Sequence, residues 1–96
     1  MEIVYKDRKL GGLVKDVRNL SRVLGQRRAT ILLRRIDDMS AATGKQDLLA
    51  MPGHYHELTG NRRGEWGCDL DQPYRLIFKI EGQVITITEI VNYHGK

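Results

Sequence analysis

Three observations predict an α+β domain with helices gathered on one antiparallel sheet. Apolar residues recur at helical spacing from Leu10 to Met39, the period changes to two after Pro52-Gly53, and a short strand-like run precedes the helices. The predicted order is an N-terminal strand, an antiparallel pair of helices and a four-stranded antiparallel meander packed on them. All 96 residues read as one domain, without repeat or linker.

Glu2 to Tyr5 forms the first strand and ends at the polar run Lys6-Asp7-Arg8-Lys9, where Asp7 suits an N-cap. Leu10, Leu13, Val14, Val17, Leu20 and Leu24 then lie on one face of a single amphipathic helix, weakened by Gly11-Gly12 and stopped at Gly25. The second helix carries Ala29, Leu32, Leu33, Ile36 and Met39 on one face and Arg28, Arg35 and Asp38 on the other. Gln46 to Met51 adds a further helical turn before Pro52-Gly53 breaks the chain.

His54 to Leu58 reads as a strand, Thr59 to Gly64 as a basic loop bounded by glycines, and Glu65 to Leu70 as the returning strand. Trp66, Cys68 and Leu70 alternate toward the core. If Leu58 faces the core, His54 and His56 do too, because all three share one side of their strand. Asp71-Gln72-Pro73 is the next turn, and Glu81-Gly82 reads as the two-residue loop of the last hairpin. That loop sets Phe78 opposite Ile85 and Leu76 opposite Ile87 as an apolar face. Arg75, Ile77, Thr86, Thr88, Ile90, Asn92 and His94 then collect on the other face, while Tyr93 falls with Ile85 and Ile87.

Composition narrows the function classes. No apolar run approaches the roughly 20 residues of a membrane-spanning helix, and the first residues lack the pattern of a signal peptide, so a cytoplasmic protein is expected. One cysteine and three histidines without repeated spacing give no expectation of a metal site. The net charge of +4, with doublets at Arg27-Arg28, Arg34-Arg35 and Arg62-Arg63, suits either RNA or an acidic protein partner.

The run His56-Glu57-Leu58-Thr59-Gly60-Asn61-Arg62-Arg63-Gly64-Glu65-Trp66, then Tyr74-Arg75-Leu76-Ile77-Phe78, then Asn92-Tyr93-His94, resembles the HigB branch of the RelE/ParE toxin superfamily. The resemblance implies a RelE-like fold and the toxin of a type II toxin-antitoxin pair, which cuts mRNA in the ribosomal A site. It also implies metal-free chemistry without a cofactor, in which the ribose 2′-hydroxyl attacks the adjacent phosphate. Such chemistry needs a base, an acid and cations that stabilise the developing charge. Imidazole suits proton transfer near neutrality and guanidinium suits the phosphate.

Carried over by position, the resemblance assigns Arg75 to the scissile phosphate, His94 and His56 to proton transfer, and Tyr93 to stacking or orientation. Arg62 and Arg63 would grip flanking phosphates or ribosomal RNA, with Lys79 and Asn92 as further RNA contacts. Two positions depart from the family's pattern: Thr59 stands where a lysine is usual, and Asn92 where an acid is usual.

The implied partners are mRNA on the ribosome and a helix-turn-helix, HigA-like antitoxin. DNA enters only through the antitoxin complex, and no membrane is involved. Other readings stay open: a ParE-like toxin that inhibits DNA gyrase, or a catalytically silent relative that binds antitoxin or RNA. Arg75 could instead pair with Asp69 or Glu89, and the helix doublets could be a solvated face or a seat for an acidic antitoxin segment.

Overall fold

The computed structural model describes residues 1–92. The chain runs β1 (Glu2–Tyr5), α1 (Arg8–Lys15), α2 (Val17–Leu24), α3 (Gln26–Ala41), α4 (Lys45–Ala50), β2 (His56–Glu57), β3 (Trp66–Asp69), β4 (Tyr74–Glu81) and β5 (Val84–Asn92). A 3-10 turn, Gly60–Arg62, lies in the loop between β2 and β3. The sheet order is β1-β5-β4-β3-β2, so β2 to β5 form the predicted antiparallel meander. β1 joins its far edge parallel to β5.

Asp7 caps α1, its carboxylate accepting from Leu10 N at 2.8 Å. The single helix expected over Leu10 to Leu24 is instead two, divided at Asp16. The Asp16 carboxylate accepts from Asn19 N at 3.1 Å, so it ends α1 and caps α2. A short acidic side chain that bonds the backbone ahead of it competes with a continuing helix. Gly25, at φ 91°, then turns the chain from α2 into α3.

Leu20 and Leu24 of α2, Ala29, Leu32 and Met39 of α3 and Leu48 of α4 are buried against Trp66, Cys68, Leu76, Phe78, Ile85 and Ile87. Phe78 sits at the centre, stacked on Trp66 at 6.3 Å and edge-on to Tyr55 at 6.2 Å. Trp66 and Cys68 are therefore core groups, as their alternation predicts. Burial pushes the Cys68 thiol up to about 12.

Two of the arginines expected on the solvated face of α3 turn toward the sheet. Arg35 Nε donates to the carbonyl of Asp69 at 2.9 Å, and the Arg28 guanidinium lies 4.1 Å over the Tyr74 ring. Their doublet partners Arg27 and Arg34 remain exposed. Long stems let arginine reach across an edge of the core while keeping its head hydrogen-bonded.

The last hairpin departs most from the period-two reading. Glu81 pairs with Val84, so the loop is Gly82-Gln83, and Phe78 lies opposite Ile87 rather than Ile85. Farther along, Ile77 pairs with Glu89 and Leu76 with Ile90, which leaves Thr88 as an extra residue in β5. This is a β-bulge, fixed by Thr88 Oγ1 donating to the carbonyl of Ile77 at 3.1 Å. One inserted residue reverses the parity of everything beyond it. Ile90 and Asn92 consequently fall on the helix side with Leu76 and Tyr74, and Glu89 and Val91 take the places on Arg75's face that simple alternation gives to Ile90 and Asn92.

Candidate functional site

The sheet face turned away from the helices carries the candidate site. His56 pairs with Gly67 and Gly67 with Ile77, while Asp69 pairs with Arg75, so His56, Asp69, Arg75, Ile77 and Glu89 all point to this side. Tyr55, between the two histidines in sequence, points the other way into the core. The expectation that His56 would follow Leu58 is met with the opposite sign: that side of β2 faces away from the helices. Its apolar floor is Ile77, fully buried although outside the main core, with Leu58 above Gly67.

β2 is only two residues long, against the five expected from His54 to Leu58. His54 adopts φ 56°, a left-handed conformation outside any strand, so the ladder starts at His56. Leu58 N still donates to the carbonyl of Glu65 at 2.8 Å, closing the basic loop.

A cleft of about 330 Å³ lies over this face, lined by His56, Glu57, Leu58, Thr59, Asn61, Arg62 and Arg75. A neighbouring hollow of about 590 Å³ shares Asn61 and Arg62 and adds Arg63, Gly64, Glu65 and Lys79. The structure thus brings His56 and Arg75 to one cleft, and Arg62, Arg63 and Lys79 to the hollow beside it. Asn92 lies on the opposite side through its pairing with Tyr74, not beside Arg75. His94 and Tyr93 lie outside the described residues.

Arg62 is not presented as an open phosphate-gripping cation. Its Nη1 donates to Glu89 Oε1 at 2.7 Å and to Glu65 Oε1 at 2.8 Å. These hydrogen bonds, the Glu89 one foremost, hold the guanidinium even further above its ordinary range, and the same bond holds Glu89 below the usual carboxylate range. The pair ties the loop to β5. Arg63 and Lys79 are exposed on the rim of the hollow.

Behind His56 lies a chain of contacts that alternation along the strands does not reveal. The His54 and His56 rings are stacked with centroids 4.4 Å apart, and His54 Nδ1 lies 3.7 Å from Asp69 Oδ2. Asp69 Oδ1 is in turn 3.5 Å from Arg75 Nε. Arg75 thus has Asp69 as an ion-pair partner, the pairing weighed from sequence, and that partner also reaches the histidine turn. Asp69 is further anchored through its backbone: its N–H donates to the carbonyl of Gly53 at 2.7 Å and its carbonyl accepts from Arg35. His54 and Asp69 have only weak sequence signals, a His-x-His spacing and a cross-strand place opposite Arg75.

Fold and site together define a small α+β domain, with helices on one sheet face and an imidazole-guanidinium cleft on the other. The RelE-like toxin family of type II toxin-antitoxin systems, HigB, matches residues 5–94, and the chain belongs to this HigB-like toxin family. Among solved structures, a YoeB/ParE toxin from Agrobacterium tumefaciens is similar at TM-score 0.65 and 15% identity, over 94% of this chain and 95% of that one. A YoeB-YefM complex from Staphylococcus aureus is similar at TM-score 0.66 and 11% identity, over 94% of this chain and 93% of that one. At such identities the likeness concerns the fold. Comparison with curated proteins yields no significant match.

Proposed function

We propose that this toxin is a ribosome-dependent mRNA endoribonuclease in which a ribose 2′-hydroxyl attacks the adjacent phosphate, without a metal. The observation that carries the reading is the convergence of His56 and Arg75 on one cleft of the sheet's outer face. Arg75 is assigned to the scissile phosphate and His56 to the 2′-hydroxyl proton. Asp69, 3.5 Å from Arg75 Nε, orients the guanidinium toward the linkage. His94, as the acid for the departing 5′-oxygen, and Tyr93 beside it complete the set on the strength of the family resemblance.

Arg63 and Lys79 on the neighbouring hollow are assigned to flanking phosphates or ribosomal RNA. Arg62 is assigned to holding the loop that presents them. The structural likeness to a YoeB-YefM complex supports a protein antitoxin as the partner that silences this chain. A helix-turn-helix protein encoded beside it is the form expected. No helix among the described residues is long and apolar enough to cross a membrane.

The test is expression in growing bacteria with mapping of mRNA 5′ ends. Cuts inside translated frames are expected, with a 5′-hydroxyl on the downstream fragment and a 2′,3′-cyclic phosphate on the upstream one. Arg75→Ala is expected to abolish them by about 10²-fold or more, as for loss of a group that stabilises transition-state charge, while the protein stays folded. Intact messages with inhibited gyrase would replace this reading with the ParE-like one, and intact messages without a gyrase effect would leave a binding protein.

A further inference from the structure

The turn that carries His54 has no part in the chemistry proposed above, yet it is anchored on both sides. His54 is the one non-glycine residue at positive φ among the described residues. Histidine is among the few non-glycine residues enriched in that conformation, and residues held there gather at functional sites. The surroundings here are specific. Gly53 before it is bonded to Asp69 N, and Tyr55 after it is buried with its hydroxyl donating to the carbonyl of Arg35 at 3.3 Å. The largely exposed His54 ring stacks on His56 and lies 3.7 Å from the Asp69 carboxylate.

The left-handed turn brings the His54 carbonyl oxygen 2.8 Å from His56 Nδ1. A carbonyl oxygen only accepts, so Nδ1 must carry the proton. Neutral His56 is then the Nδ1–H tautomer, with its lone pair on Nε2, the reverse of the form that free histidine favours. Which ring nitrogen can take a proton is set by the bond the other makes.

We propose that His54 is a positioning residue for His56, whose left-handed backbone aims a carbonyl at Nδ1 and so makes Nε2 the proton acceptor in the cleft. The proposal rests on the reading of His56 as the base, but it makes a statement about His56 that needs no substrate. In His54→Asn the left-handed conformation remains accessible, since asparagine tolerates it, whereas His54→Val disfavours it because the side chain is β-branched.

The test is 15N imidazole NMR of the full chain at alkaline pH, where imidazoles are neutral. His56 is expected as Nδ1–H in the wild type and in His54→Asn, and as predominantly Nε2–H in His54→Val. Cleavage by the valine variant is expected to fall about 10²-fold in kcat with KM unchanged, the scale of a lost general base. A wild-type His56 in the Nε2–H form overturns the proposal, as does a folded valine variant that keeps Nδ1–H. Should the valine variant fail to fold, the wild-type assignment decides alone. Tautomers as expected in a protein that cuts no message would sink the nuclease reading and leave the positioning role standing.

Discussion

Gly53→Ala tests the anchoring of the turn that carries His54. Gly53 sits at φ 122°, and a Cβ placed on it would lie 2.6 Å from Arg35 Nε and 2.9 Å from Arg35 Cζ. Restoring an ordinary carbon contact of about 3.5 Å requires the guanidinium to move by about 1 Å. That motion breaks the 2.9 Å bond from Arg35 Nε to the Asp69 carbonyl. Two costs add: about 1–3 kcal/mol for an L residue in strained backbone, and about 1.5–3 kcal/mol for a bond from a charged donor.

Gly25→Ala supplies the control. Gly25 also has positive φ, 91°, but nothing lies within 4 Å of the added Cβ, so only the backbone cost applies. In urea unfolding, Gly53→Ala is expected to be less stable than Gly25→Ala by about 1.5–3 kcal/mol, the value of the Arg35 bond. In an Arg35→Ala background the excess is expected to vanish, because the clash and the bond have both been removed. Equal stability of the two glycine variants, or an excess that survives without Arg35, would refute the reasoning.

Further expectations follow from the loop tie and the core. Glu89 is held below its unfolded value by Arg62, so the contribution of this pair is present above the unfolded carboxylate range and is lost as pH falls through the folded one. Glu89→Gln is therefore expected to cost less than about 1 kcal/mol at neutral pH, the side chain being 41% exposed. Thermal melts of the two proteins should converge on acidification; a gap that widens instead would contradict the sign. Cys68, buried with its thiol pushed up to about 12, is expected to resist a thiol reagent at pH 8 in the native protein and to react once urea unfolds it. Rapid labelling without unfolding would remove it from the core.

Much of this architecture was legible from residues alone, because the physics that sets it is local. Asp7 as an N-cap, the stop at Gly25 and the inward alternation of Trp66, Cys68 and Leu70 depend on side-chain chemistry within a few positions. The misreadings arise where one particular side-chain bond outweighed the periodic preference of its neighbours, close in sequence at Asp16 and across the fold at Arg35 and Thr88. Asp16 bonded ahead to Asn19 and cut a helix in two. Arg35 reached the carbonyl of Asp69 and left the solvated face on which helical spacing placed it. Thr88 bonded across the hairpin, and the resulting bulge moved Asn92 to the side of Tyr74.

Sequence alone determined the α+β class, the broad order of helices and strands, most of the core and the family, since hydrophobic period and short motifs are properties of neighbouring residues. Tertiary structure decided which face of the sheet holds the cleft, that Arg62 is tied to Glu65 and Glu89, and that His54 stands behind His56. These are matters of register and of contacts between distant segments. A single extra residue in one strand inverts every assignment beyond it, and only the paired strands reveal that it is there.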